Sequence, residues 1–215
     1  MKELVKYLRR LGVLHSSRIV EAFLAIDRKN FVPDGNKDEA YIDEAMPIGW
    51  GQTISQPYTV AFMLELLNPQ PGDVILDIGS GSGWQSAILA QIVTHGIGSR
   101  GKVHALEIVS ELCDVGTRNV SKYHFIKNGI VEFHCGDGDK TVVGDGKADK
   151  IIAAASIDCG EKNAVNCIPE NWQKQLKIGG VIVVPIGQSI WKFNKGSADD
   201  FESEEHPGFA FVPYV

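Results

Sequence analysis

The sequence predicts an α/β fold: a doubly wound, mostly parallel sheet with an antiparallel C-terminal edge, preceded by helices. Three observations predict it. From residue 74 onward, short apolar runs alternate with helical periods, the pattern of a parallel sheet covered on both faces. The first of those runs ends in a glycine-rich turn, Asp77-x-Gly79-x-Gly81-x-Gly83. The last two strand-like pieces lie close together in the tail, as in a hairpin closing a sheet edge.

The elements follow in order. Leu4, Leu8 and Leu11 share a helical face, Gly12 interrupts, and Ser16 or Ser17 opens a second helix that buries Ile19, Val20, Phe23 and Leu24. The run 27–33, closed by Pro33, ends that helix. A loop through Ala40 and Tyr41 leads to Pro57, which suits the first turn of a helix over 58–67. Strand 74–78, helix 84–95, strand 102–107, helix 110–123 and strand 130–135 come next. Strand 150–154, a helix around 169–176 and strand 181–184 complete the alternation. Strand-like pieces at 190–193 and 209–212 flank a polar stretch, 194–207. Sheets of this kind bind ligands at the carboxyl ends of their strands.

A chain of 215 residues, 44% hydrophobic and 22% charged, suits one globular domain with a real core. We expect a single domain over 1–215, with a helical extension and loop over 1–57 and the sheet core over 58–215. The formal net charge of −6 argues against a general nucleic-acid binder. Lys2, Lys6, Arg9 and Arg10 read as a solvated helix face. The longest apolar runs are too short to span a bilayer, and the first residues do not read as a signal peptide. A cytoplasmic chain without a membrane partner is expected. Cys113, Cys135, Cys159 and Cys167 show no C-x-x-C spacing and are expected as free thiols or small buried hydrophobes. A bridge between Cys159 and Cys167, which share one loop-like segment, is the alternative. The six histidines show no metal-ligand spacing, so no metal is expected.

Glycines at 79, 81 and 83 let the backbone turn sharply and let a ligand lie against main-chain N–H groups. A dinucleotide fingerprint would place its third glycine at position 84, which is Trp84. Glu107 ends the next apolar strand, where a carboxylate can accept hydrogen bonds from ribose hydroxyls. An ordinary tight βα turn is the plainer reading of the glycines alone.

The spacing from Asp77 to Gly83, followed by Glu107, resembles the class I S-adenosylmethionine-dependent methyltransferases. Within that class, Gly51-Gln52-Thr53-Ile54-Ser55-Gln56-Pro57 resembles the protein-L-isoaspartate O-methyltransferases. Phe31-Val32-Pro33, Ala40-Tyr41, Gly136-Asp137-Gly138 and Gln175-Leu176-Lys177-Ile178-Gly179-Gly180 support the likeness. Pro185-Ile186-Gly187, Gln188-x-Ile190 with Lys195, and Phe211-Val212-Pro213 carry it to the C-terminus. The resemblance implies a Rossmann-like methyltransferase that moves a methyl group from S-adenosylmethionine to the free carboxylate of isoaspartyl residues, leaving S-adenosylhomocysteine. The ester then collapses to a succinimide that can reopen as aspartate, so damaged proteins and peptides are the implied partners of a monomeric enzyme.

By position, the resemblance implies that Ser55 orients the substrate carboxylate or the methyl donor. Capping of the helix opened by Pro57 is the alternative role for this serine, and the same side chain could do both. Gly79, Ser80 and Gly81 are implied to lie against the methionine part of the cofactor, Glu107 on its ribose, Ile108 beside the adenine, and Asp137 and Gly138 at the adenine edge. Gln52, Thr53, Ile54, Tyr58 and Gln188 complete the implied pocket. Tyr58 stands where the family often has histidine, and for Trp84 core packing is the expected role. The segment 156–167 is longer than the family pattern. It is either a surface excursion or a change to the peptide site, and the latter would favour a methyltransferase dedicated to one peptide. A non-catalytic binding module and a nicotinamide oxidoreductase are the remaining alternatives, the latter disfavoured by Trp84.

Overall fold

The computed structural model describes residues 1–215 except 97, 99, 100, 140, 141, 161, 162, 199 and 215. Helix α1 (Lys2–Arg10) buries Leu4, Val5 and Leu8. It ends before Leu11, which is half exposed because Gly12 turns the chain away at φ 77°. Helix α2 (Ser17–Ala25) buries Ile19, Ala22 and Phe23, so the core-facing stripe leaves Leu24 exposed and Val20 only half-buried. Ser16 occupies the cap position but its hydroxyl bonds Glu65 at 2.5 Å. Glu65, on helix α3 (Pro57–Leu67), also accepts the N–H groups of His15 and Ser16.

Between α2 and α3 the expected loop contains a small hairpin. Strands β1 (Met46–Gly49) and β2 (Gln52–Ile54) pair antiparallel, with Met46 opposite Ile54 and Pro47 opposite Thr53. Trp50 and Gly51 form its turn at φ 51° and 72°, the left-handed pair that short hairpins require.

The main sheet contains β3 (Val74–Ile78), β4 (Lys102–Glu107), β5 (Val131–Cys135), β6 (Ala148–Ala153), β7 (Leu176–Ile186), β8 (Ser189–Lys195) and β9 (Phe201–Pro207). Its order is β5-β4-β3-β6-β7-β8-β9. The first five strands in that order run parallel, and β8 and β9 add antiparallel. Helices α4 (Trp84–Val93) and α5 (Ser110–Ser121) join α1–α3 in an apolar cluster on one face. The short α6 (Glu170–Gln175) plants Trp172 on the other face, against Leu76, Ile78 and Ile151 among others.

Two expectations need correction. The second tail strand lies at Phe201–Pro207, inside the stretch expected as polar connection, and residues 209–212 are not a strand. Strand β9 is an edge exposed on both faces, so Glu202, Ser203, Glu204 and Glu205 show no apolar alternation. Charge on such an edge discourages pairing with another sheet. The cysteines are paired rather than free: Cys113–Cys135 joins α5 to β5 with Cα atoms 5.7 Å apart, and Cys159–Cys167 closes the 156–167 segment at 5.5 Å. The first pair has no sequence signature because it is the βαβ crossover that brings its members together.

Candidate active site

Strands β3 and β6 are neighbours, but the chain leaves β3 toward β4 and leaves β6 toward β7. That reversal opens a crevice at their carboxyl ends. Gly79, Gly81 and Gly83 cross it at φ 73°, 51° and 84°, values that side chains other than glycine's rarely adopt. At Gly83 a Cβ would also stand 2.8 Å from Val120 and 3.1 Å from the Gly116 carbonyl, because α5 crosses directly over the turn.

Below the turn lies a cavity enclosing about 840 Å³ with its open mouth. The ends of β3 and β4 form its floor through Ile78, Gly79, Leu106 and Glu107. Gly136 and Gly138, Ala154 and Ala155, β2 with the following Ser55, and the segment 212–214 close its sides. Glu107 is buried, with one carboxylate oxygen accepting the Gly81 N–H at 2.7 Å and the other the Val109 N–H at 3.0 Å. Each oxygen keeps a further lone pair for a ligand. Asp77 stays behind the wall, fully buried, accepting from Gln85 Nε2 at 2.7 Å and Ser86 Oγ at 2.5 Å. Burial outweighs those two bonds and, with Glu107 nearby, pushes its carboxyl up to about 6. Its role is to tie β3 to the first turn of α4.

The wall fits a polar nucleoside ligand. Ser80 Oγ and Trp84 Nε1 are buried there without a hydrogen-bond partner, an uncommon state that a bound ligand would relieve. Gly138 is closely packed: a Cβ there would lie 2.7 Å from Ile78 and 3.0 Å from the Tyr214 hydroxyl, so only glycine fits this part of the wall. That hydroxyl donates to Asp139 at 2.8 Å, and Trp172 Nε1 donates to the Gly138 carbonyl at 2.9 Å. Burial and the bond to Asp139 push the Tyr214 pKa upward, so it stays a phenol.

A larger, open groove lies across the hairpin, with Tyr7, Leu11, Tyr58, Phe62, Phe209 and Phe211 among its walls. Thr53, Ser55, Ala154 and Val212 border both spaces. The Ser55 segment is anchored by Arg28, whose guanidinium is buried and donates to four carbonyls. Nη1 reaches Ala40 at 2.9 Å and Ile42 at 3.3 Å, while Nη2 reaches Glu44 at 2.9 Å and Ser55 at 3.1 Å. It also sits 5.2 Å over the Trp84 ring. Burial lowers the Arg28 pKa to about 10, which leaves it charged at neutral pH. Gln56, not Ser55, holds the cap position of α3, and Asp43 takes the Tyr58 N–H at 2.7 Å.

Of the residues singled out in the sequence, Gln52, Thr53, Ile54, Ser55, Gly79, Ser80, Gly81, Glu107, Ile108 and Gly138 line the cavity. Tyr58 faces the neighbouring groove. Asp137 falls between two lining glycines, and its carboxylate accepts the Asp139 N–H at 2.9 Å. Gln188 lies elsewhere, beside Cys159 and Asn163, and its carbonyl accepts the N–H groups of Gly208 and Phe209. Ser82, Trp84, Gln85 and Tyr214 line the cavity without having been singled out for it, and Arg28 and Asp43 support it from behind.

A glycine turn and a terminal Glu at the switch point of this sheet define a class I methyltransferase fold. The sequence profile of the family described as Protein-L-isoaspartate(D-aspartate) O-methyltransferase (PCMT) matches residues 1–215. The chain belongs to that family. It is 36% identical over 218 residues to the protein-L-isoaspartate O-methyltransferase of Methanopyrus kandleri, covering 100% of this chain and 90% of that one. The Staphylothermus marinus enzyme of the same name is 38% identical over 219 residues, covering 100% and 93%. A solved protein-L-isoaspartate O-methyltransferase superposes with a TM-score of 0.82 at 28% identity, over 99% of this chain and 65% of its own. A Plasmodium falciparum protein described as a beta-aspartate methyltransferase, solved with S-adenosyl-L-homocysteine, shares the fold with a TM-score of 0.85 at 22% identity, over 100% and 97%.

Proposed function

We propose that this protein transfers the methyl group of S-adenosylmethionine to the free carboxylate of L-isoaspartyl residues in proteins and peptides, beginning their repair through a succinimide. The observation that carries this reading is the shared wall: Thr53 and Ser55 stand between the glycine-turn cavity and the open groove. A cofactor in one space and a peptide in the other would meet there.

The chemistry asks little of the protein beyond placement. A carboxylate with an ordinary pKa of about 4 is already ionised at neutral pH, so no general base is needed. S-adenosylmethionine, when bound, supplies an activated methyl group on a sulfonium. Glu107 would accept from the ribose hydroxyls, and the glycine turn with Ser80 would hold the amino-acid end. Ile108 and Gly138 would flank the base. Ser55 would donate its hydroxyl proton in a hydrogen bond to the incoming carboxylate, fixing its direction without becoming a nucleophile. Leu11, Tyr58, Phe62, Phe209 and Phe211 would cover the peptide and exclude water.

A broad substrate range is supported by where the 156–167 segment lies. Asp158, Cys159 and Gly160 border a separate depression next to Gln188, not the groove at Ser55. Its root serves the site instead, since Ser156 exchanges backbone hydrogen bonds with Val212 and Tyr214. We also read the chain as one domain, because one apolar cluster runs from Leu4 to Ile190. Among the described residues no helix is long and apolar enough to cross a membrane.

The test is methyl transfer to a panel of unrelated isoaspartyl peptides beside their aspartyl counterparts. Turnover across the isoaspartyl set alone is expected. Activity on none of them, or no calorimetric binding of S-adenosylhomocysteine at millimolar concentration, would refute the reading.

A further inference from the structure

Three potential ligands converge on the outer edge of the sheet, away from the cavity. Strands β4 and β5 run parallel with His104 beside Glu132 and Leu106 beside His134. Alternation along each strand therefore puts Lys102, His104, Glu132 and His134 on one face. It is the face of Leu106, opposite the one covered by α4 and α5. His104 Nδ1 lies 2.9 Å from His134 Nε2. Glu132 Oε2 is 4.0 Å from the first, and Glu132 Oε1 is 3.9 Å from the second.

We propose that His104, Glu132 and His134 form a site for a divalent transition-metal ion of the zinc class on the β4–β5 edge. Two imidazoles and one carboxylate are a donor set that zinc accepts, with a fourth position left to water. A tetrahedral ion about 2.0–2.1 Å from each donor needs its donors roughly 3.3 Å apart. The imidazole nitrogens lie 2.9 Å apart, and one donor atom from each of the three residues falls within 4.8 Å of the other two, so turning the exposed Glu132 carboxylate toward the rings and parting the rings slightly would complete the site. The ion would take the place of the imidazole–imidazole hydrogen bond. His104 is buried and fixed, whereas Glu132 and His134 are partly exposed, which gives the ion an approach from solvent.

One neighbour opposes binding. Lys102 donates to Glu132 at 2.5 Å, so its ammonium both occupies the carboxylate and repels a cation. This interaction provides a control, since removing Lys102 should favour the metal while removing a ligand abolishes it.

Zinc alone is titrated by calorimetry into the oxidised, untagged full-length protein, whose cysteines are all in disulfides and unable to ligate. Cobalt(II) substitution reports the coordination geometry by its visible absorption. One equivalent of zinc per chain is expected, with cobalt bands of a four- or five-coordinate site. His134→Gln and Glu132→Gln sit on the exposed side and should each abolish this binding without changing the circular dichroism spectrum. Lys102→Met should tighten zinc about tenfold, the scale of one charge-assisted hydrogen bond lost by the free protein. No stoichiometric binding, or binding that survives in both His134→Gln and Glu132→Gln, would overturn the proposal. The outcome is independent of methyl transfer, because none of these residues lines the cavity.

Discussion

Glu107 and Ser55 both line the cavity, one at the end of β4 and the other just after β2, and substitution should separate the roles proposed for them. Glu107 is locked by two backbone N–H groups, so Glu107→Gln removes charge from a carboxylate that has no room to reorient. S-adenosylhomocysteine affinity should fall about 10- to 100-fold, the worth of hydrogen bonds to a charged group, as read by calorimetry. Ser55→Ala should leave that affinity nearly unchanged while single-turnover methylation slows at least about tenfold. Equal losses in both measurements would remove Ser55 from its assigned place. Asp77 gives a pH prediction instead. Its carboxyl holds a proton more tightly when folded, at about 6, than in the unfolded chain. The stability it contributes is therefore fully present below about pH 4 and lost as pH rises through about 6. The stability of the protein relative to Asp77→Asn should fall by roughly 2–3 kcal/mol across that window, as denaturant midpoints would show. The spacing from Asp77 to Gly83 was legible in sequence. The inward burial of Asp77 was not, because a carboxylate two places before a glycine turn looks the same whether it faces ligand or core.

At the scale of elements, strands and helices with one apolar and one polar face could be read from their periodicity. The pieces that escaped had no such contrast. Strand β9 is polar on both faces, and the β1–β2 hairpin is too short for a period to develop. The hairpin matters most, since it carries Thr53 and leads into Ser55. Its position depends on Arg28, which reads in sequence as one more charge at a helix end, and whose burial follows only from the way residues 40–55 wrap around it. Arg28→Met should leave four carbonyls unpaired and cost about 3 kcal/mol or more. Thermal melts would report that loss, and the KM for peptide should rise as the Ser55 segment loosens.

Over the whole molecule, topology decides what sequence distance conceals. The Cys113–Cys135 pair spans 22 residues and Cys159–Cys167 spans 8. Chain-entropy arguments give the longer closure about 3 kcal/mol and the shorter about 2 kcal/mol. Cys113→Ser with Cys135→Ser should thus lower the denaturant midpoint more than Cys159→Ser with Cys167→Ser, and reduction of the unsubstituted protein should exceed either. Trp84 has a consequence of a different kind. Its indole forms part of the cavity wall, with a guanidinium over the ring and an unpartnered N–H. Of the other three tryptophans, Trp50 is exposed at the hairpin tip, Trp172 is bonded behind Gly138, and Trp191 borders the separate depression beside Gln188. The protein therefore carries a built-in optical reporter: filling the cavity changes the surroundings of one indole, so occupancy can be followed by intrinsic fluorescence without a label.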